Sequence, residues 1–213
     1  MSRLEKVREE LKGYGRLAFE RQLVWGRSGN ISARVGKDAF LISASGSELG
    51  TLNDDDLVLC RLDSEAWEGS KRPSIETGLH RGIYRTQGGA RAILHSHPFY
   101  STLVACSNIA LRADLIPEAM AYLGKVGRVP YYHAGSRKLA EVTATKARDS
   151  QALLLENHGV VCWGSSLDDV LLKTETLELL CRLVVVASAS GISLNYLGEE
   201  TIEDFTRHLQ RKK

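Results

Sequence analysis

Ala90-Arg91-Ala92-Ile93-Leu94-His95-Ser96-His97 is apolar and then abruptly polar, the pattern of a buried strand that emerges into a site. In an extended chain residues i and i+2 face the same side, so the imidazoles of His95 and His97 can converge on one ion. Neutral imidazole nitrogen is a good zinc ligand, and catalytic zinc sites take three protein ligands and leave a position open. A His-x-His pair alone is equally compatible with two hydrogen-bonded side chains. Downstream, the apolar runs Ala152 to Leu155 and Val160 to Trp163 flank Asn157-His158-Gly159, a turn-forming triplet between two strands. Packing gives no reason for a histidine there, and His158 becomes the third candidate ligand; the plainer reading is a turn residue facing water. His80, His133 and His208 complete the six histidines and sit in no comparable setting.

Outward from these strands the chain alternates helical and extended patterns. Leu4, Val7, Leu11, Leu17 and Ala18 recur at helical spacing and predict an amphipathic opening helix, after which Gly26 to Asn30 breaks the pattern. Ile31 to Val35 and Ala39 to Ser43, separated by Gly36-Lys37-Asp38, predict a hairpin, and Leu57 to Leu62 a further strand. A helix is expected over Ser74 to Tyr84 with Ser74 as its cap, and a short one over Thr102 to Cys106. A strand near Val126 to Tyr131 and a helix near Ser136 to Ala147 follow. The segment Leu167 to Ala189 reads as a long helix opened by Ser166. Its most apolar part, Leu183 to Ala189, reads as buried. Strands mixed with flanking helices define an α/β layered fold.

The 213 residues suit one compact domain, with a core over about residues 4–190 and a tail over 191–213. A hydrophobic fraction of 43% and a charged fraction of 25% are those of an ordinary globule rather than a disordered chain. The formal charge of +2 is too small to argue for nucleic acid or a membrane surface as partner. Arg211-Lys212-Lys213 reads as a solvated tail. The start of the sequence lacks the apolar run of a signal peptide, and no uncharged stretch approaches the length of a membrane span. The four scattered cysteines, Cys60, Cys106, Cys162 and Cys181, form no Cys-x-x-Cys pair; four buried free thiols in a cytoplasmic setting are expected.

Glu76 is the candidate base. It falls in the first turn of its expected helix, near the positive end of the dipole, and position alone is also explained by helix stabilisation. Ser28-Gly29-Asn30, Ser45-Gly46 and Ser74 are small-residue clusters of the kind that admit an anion to backbone N–H groups, although each alone is an ordinary turn.

Read in order, Gly29-Asn30-Ile31-Ser32, Leu41-Ile42-Ser43-Ala44-Ser45-Gly46, Arg72-Pro73-Ser74-Ile75-Glu76-Thr77, His95-Ser96-His97 and Asn157-His158-Gly159 form a series that resembles the class II aldolase/adducin family, over about Leu4 to Ala189. The resemblance implies a nine-stranded, mainly antiparallel sheet sandwiched by helices. It implies a homotetramer with four-fold symmetry whose active sites lie between adjacent subunits. By motif position His95, His97 and His158 would bind Zn²⁺, with Glu76 a fourth ligand at rest and the acid/base during turnover. Asn30, Ser45, Gly46 and Ser74 would hold a substrate phosphate, with Ser28 and Gly29 nearby. Family aldolases carry a second serine where this chain has Ile75. A family tyrosine supplied by the neighbouring subunit corresponds to either Tyr122 or Glu118.

The activity so implied is zinc-dependent cleavage of a ketose 1-phosphate, L-fuculose 1-phosphate or a related deoxy-ketose phosphate, into dihydroxyacetone phosphate and an aldehyde. Family alternatives are methylthioribulose-1-phosphate dehydration and ribulose-phosphate 4-epimerisation, the latter typically with aspartate in place of Glu76. Adducin-like members are non-catalytic interaction domains that lack the metal histidines, all three of which stand here.

Overall fold

Strand β5 (Ala92–Ser96), which contains the first histidine, lies in the interior of an eight-stranded sheet of order β4-β3-β2-β1-β5-β8-β7-β6. The other strands are β1 (Asn30–Val35), β2 (Ala39–Ser43), β3 (Leu57–Arg61), β4 (Trp67–Glu68), β6 (Val126–Val129), β7 (Ala152–Leu155) and β8 (Gly159–Gly164). Every neighbouring pair is antiparallel except β6 with β7. This computed structural model describes residues 2–210, so the Arg211-Lys212-Lys213 triplet lies outside the described residues.

Alternation along the strands divides the core in two. On one face Leu94 of β5 and Val160 and Cys162 of β8 meet α1 (Arg3–Glu20), α3 (Phe99–Ala105), α4 (Pro117–Tyr122) and α6 (Leu167–Ser190). On the other face Ile93, Val161 and Trp163 meet α2 (Thr77–Thr86) and α5 (Arg137–Ala147). The result is a helix–sheet–helix sandwich. His95 shares a face with Ile93, so it points into the layer that α2 occupies.

Capping serines fix several helix starts. Ser2, Ser136 and Ser166 accept hydrogen bonds from the backbone N–H groups of Glu5, Leu139 and Asp169, which opens α1, α5 and α6 in register. Ser74, expected to do the same for α2, does not. It accepts instead from the Glu76 N–H at 3.2 Å, and its carbonyl accepts from the Thr77 hydroxyl at 2.6 Å, so residues 74–76 form a turn and the helix begins at Thr77.

Four other expectations are corrected. The described residues form eight strands rather than nine, and beyond them Ala44 and Pro73 make an isolated bridge, since proline lacks the N–H that a ladder requires. Cys106, at the end of α3, is exposed, whereas Cys60, Cys162 and Cys181 are buried. The apolar end of α6 is only half covered: Val184 and Ala187 are buried, but Leu183 and Val186 face outward with Leu172 and Leu179, because the sheet and its neighbouring helices cover one side of the helix. The segment read as a tail carries α7 (Glu199–Gln210), which packs on α4 and is led in by Asp114, whose carboxylate accepts the Gly198 N–H at 2.9 Å.

Leu94 is buried at the centre of the sheet, on the face opposite His95. Leu94→Ala is expected to cost about 2–5 kcal/mol in chemical denaturation, the range for a buried leucine that leaves a cavity. A change under about 1 kcal/mol would show that this layer is not close-packed.

Candidate metal centre

Antiparallel pairing gathers the site at one end of the sheet. Asn30 at the start of β1 lies opposite His95 near the end of β5, and Ser96 lies opposite Val160 at the start of β8. The Ile31 N–H donates to Ser43 Oγ at 3.2 Å, which ties the end of β2 to the same corner. His158 arrives on the β7–β8 turn, where Leu155 pairs with Gly159. Asn157 takes the left-handed conformation there, φ 53°, which asparagine tolerates, and the His158 N–H donates to the Leu155 carbonyl at 3.1 Å. Gly159 is required by close approach rather than by φ, since a Cβ there would sit 2.6 Å from both His97 Cδ2 and the Ser96 carbonyl.

His95, His97 and His158 each present a ring nitrogen, and these atoms lie within 4.8 Å of one another, so the three can hold a metal ion. The ring centroids are 4.6, 4.7 and 5.5 Å apart. His95 Nδ1 is 2.9 Å from the Val160 carbonyl and donates to it, which leaves Nε2 as the nitrogen turned toward the other histidines and Glu76, the one a metal would take. Trp25 Nε1–H donates to the His97 carbonyl at 2.9 Å and holds that segment in place. Burial first, then His95 and His158, push the His97 imidazole down to about 3; burial first, then His95, lowers His158 too. Both rings are therefore neutral and ready to donate lone pairs.

Glu76 closes the group. Glu76 is 5% exposed, with Oε2 3.1 Å from His95 Nε2 and Oε1 3.4 Å from His158 Nε2. Burial alone would push this carboxyl upward, but the charge of His95 and the amide of Asn30 overrule it and hold the group well below the usual range. For His95 burial pulls downward, and Glu76 wins by raising it. Among the described residues, Glu76 Oε1, His95 Nε2 and His97 Nδ1 are buried without an aligned hydrogen-bond partner. Buried polar atoms without partners are costly, and a shared cation satisfies such a set, so the donors fit a divalent metal.

The cradle residues fall into two groups. Ser45 and Gly46 are exposed on the loop after β2, Gly46 with φ +77° and open space where a Cβ would lie. Their loop is held against residues 72–74 by the Ser45 N–H on the Arg72 carbonyl at 3.0 Å and the Ser74 N–H on the Ser43 carbonyl at 3.2 Å. Ile75 is 65% exposed, so its side chain meets solvent rather than core. Gly29 packs under the strand end, where a Cβ would lie 2.7 Å from the His95 carbonyl, and the Ser28 hydroxyl is committed to the Trp25 carbonyl at 2.7 Å. Asn30 departs most from expectation. Its side chain is buried, donating to Glu76 Oε2 at 2.8 Å and meeting His80 Nε2 at 2.6 Å, so one amide hydrogen serves the carboxylate and the amide oxygen serves His80. Tyr122 and Glu118 lie exposed on α4, which packs against α6 and α7.

Sequence reasoning passed over His80. The signal was present, since Glu76 and His80 are four residues apart at a helix start and so share a face.

Residues 9–185 match the family model described as the class II aldolase and adducin N-terminal domain. The chain belongs to the class II aldolase/adducin family, and it sits with the lyases of that family. It is 40% identical over 171 residues to an L-fuculose phosphate aldolase of Methanocaldococcus jannaschii, covering 80% of this chain and 91% of the relative. A 3-oxo-tetronate 4-phosphate decarboxylase of Haemophilus influenzae is 34% identical over 194 residues, 89% of this chain and 91% of its own. Among solved structures, an L-fuculose 1-phosphate aldolase superposes with a TM-score of 0.88 at 28% identity, covering 96% of each chain. YgbL of Klebsiella pneumoniae, titled a putative aldolase/epimerase/decarboxylase, gives 0.87 at 30% identity, covering 96% of this chain and 99% of its own. Among the described residues no helix is long and apolar enough to cross a membrane.

Gly159→Ala tests the close approach at the turn. The added methyl forces His97 away from its partners, and zinc affinity measured by competition with a chelator is expected to fall about tenfold to a hundredfold. Unchanged affinity would mean that His97 is not held by this contact.

Proposed function

We propose that the chain is a zinc-dependent lyase that breaks a carbon–carbon bond in a phosphorylated ketose. L-fuculose 1-phosphate or a related deoxy-ketose 1-phosphate is the favoured substrate, and dihydroxyacetone phosphate and an aldehyde are the products. One observation carries this reading: three imidazole nitrogens converge beside a buried carboxylate that has one oxygen anchored and the other free. Three neutral nitrogens and a carboxylate suit zinc among divalent ions. His95, His97 and His158 would hold the Zn²⁺, with Glu76 as a fourth ligand at rest, and the ion would supply a Lewis acid for the oxygens beside the bond that breaks.

The chain's own groups do the rest. Glu76 Oε1 takes the proton from the hydroxyl whose carbon becomes the aldehyde, and the carboxyl then returns a proton to the carbon left behind. Ser45, Gly46 and Ser74 anchor the phosphate with hydroxyl and backbone donors, which turns binding energy at the inert end into orientation at the reacting end. Leu172, Leu179, Leu183 and Val186 leave an apolar stripe on α6, which supports assembly of copies into the homotetramer, with Tyr122 or Glu118 completing a neighbour's site. Cytoplasmic residence is proposed with it.

A second reading, decarboxylation of a 3-oxo acid phosphate, is favoured by the likeness to the Haemophilus decarboxylase and to YgbL. The bond broken is again next to a ketone, but carbon dioxide leaves without prior removal of a hydroxyl proton. A product assay of the zinc-loaded protein separates the readings. Release of dihydroxyacetone phosphate from a panel of ketose 1-phosphates is expected; carbon dioxide from 3-oxo-tetronate 4-phosphate, with no aldehyde from any ketose, would replace the aldolase reading.

Glu76→Gln is expected to keep its zinc and lose turnover by about a hundredfold to ten-thousandfold. Near-normal kcat would return Glu76 to a role at the helix start. Ile75→Ser places a hydroxyl at an exposed position beside Ser74 and is expected to tighten competitive inhibition by inorganic phosphate. If inhibition is unchanged in that variant, the anion does not sit over residues 74–75.

A further inference from the structure

His80 is 0% exposed and does not touch the metal histidines in any contact described above, yet it is joined to Glu76 through one intervening side chain. We propose that His80 is a positioning residue: acting through the Asn30 amide, it fixes the rotamer of Glu76 and keeps one carboxylate oxygen free for the reaction.

The chain of contacts has a single consistent polarity. An ionised carboxylate only accepts, so Asn30 must turn its NH₂ to Glu76 Oε2, 2.8 Å away. That orientation presents Asn30 Oδ1 to His80 Nε2 at 2.6 Å, and Nε2 must therefore carry a hydrogen. His80 Nδ1 is 2.7 Å from Ser32 Oγ, which is itself 2.8 Å from the Tyr84 hydroxyl. Both ring nitrogens meet neutral groups, Asn30 and Ser32, in a fully buried site, which favours the uncharged imidazole. A neutral ring protonated on Nε2 has a lone pair on Nδ1. Ser32 then donates to Nδ1, and the Tyr84 hydroxyl donates to Ser32.

The consequence lies in what His80 forbids. Unaided, the Asn30 amide could turn over and present its oxygen to the carboxylate, a repulsive contact that releases Glu76 to another rotamer. With Nε2–H on one side and the carboxylate on the other, only one amide orientation satisfies both. Ser32 and Tyr84 serve the same end by making Nδ1 the acceptor. A merely space-filling buried histidine would need no defined tautomer and would tolerate an apolar replacement of similar volume.

The kinetic part of this inference rests on Glu76 acting as acid/base, whereas the tautomer and the carboxylate position do not. The full-length, metal-free protein labelled with ¹⁵N-histidine gives the tautomer from long-range ¹H–¹⁵N correlations, with His80 assigned by its loss in His80→Gln. A neutral ring protonated on Nε2 is expected near neutral pH; an Nδ1–H tautomer or an imidazolium overturns the proposal. Crystal structures of His80→Gln, which keeps a donor at the Nε2 position, and His80→Leu, which does not, are expected to show Glu76 in place in the first and displaced in the second. The same carboxylate position in both overturns it. On the ketose phosphate that the wild type cleaves, His80→Leu is expected to lower kcat about tenfold to a hundredfold with KM and zinc content within about twofold, and His80→Gln to restore most of the loss. Equal losses in the two variants would mean that packing alone matters. Should His80→Leu fail to fold, Ser32→Ala leaves the core volume nearly unchanged and removes the donor to Nδ1. A mixed tautomer and a smaller fall in kcat are expected there, and an unaltered tautomer with unaltered kcat overturns the proposal. If the wild type cleaves none of the ketose phosphates, the proposed function fails, while tautomer and carboxylate position still decide the role of His80.

Discussion

A carboxylate removed from water and set against three imidazoles is the contact on which the rest of this molecule turns. Desolvation on its own would drive a proton onto Glu76, and the structure opposes that with the His95 imidazole beside it and a donated N–H from Asn30. A buried charge of this kind is tolerable only when its partners are held in fixed positions. Each supporting element can be read as a means of holding one of them. The β1–β5 register sets Asn30 opposite His95, the β7–β8 turn brings His158, and the 74–76 turn ahead of α2 brings Glu76 itself. The metal that fits these donors and the chemistry proposed for the carboxylate both depend on that one arrangement.

The sheet explains why such an arrangement is cheap to keep in register. Antiparallel neighbours place strand starts and strand ends at the same edge, so residues far apart in sequence meet without long connections. Period-two alternation then divides labour along β5: Leu94 supports the helical layer of α1, α3, α4 and α6, while Ile93 and His95 face α2. The close contact of Gly159 with the backbone and ring beyond β5 shows how little slack remains at that edge. Function and core are thus built from alternate residues of the same strand.

Local pattern made much of this legible. The His-x-His pair shares a face because strands alternate, the β7–β8 turn around His158 follows from two apolar runs separated by turn formers, and Ser166 marks a helix start by its capping chemistry. What local pattern did not reveal depended on tertiary contact. Ser74 was available as a cap, but the pull of Ser43 on its N–H and of Thr77 on its carbonyl made a turn of it instead. Motif position alone assigns Asn30 to an anion, while the partners its side chain takes, Glu76 and His80, lie on another element. The parallel pairing of β6 with β7 leaves no trace in either strand alone. By contrast, α7 has a local signature: Ile202, Phe205 and Leu209 recur at helical spacing in a segment dominated by charge.

The family is shared by aldolases and decarboxylases, and the structure gives a physical reason why one scaffold serves both. Either reaction breaks a carbon–carbon bond beside a ketone, so either needs a Lewis acid; only the aldolase also needs a base placed on a substrate hydroxyl. The entire scheme presupposes that the three histidines bind an ion. Metal content of the purified protein and of His95→Ala and His158→Ala, measured by elemental mass spectrometry, decides that question. About one zinc per wild-type chain and near-complete loss in both folded variants is the outcome this account requires. Full metal occupancy in both variants, or a wild-type protein that cannot be loaded with any divalent metal, would contradict it.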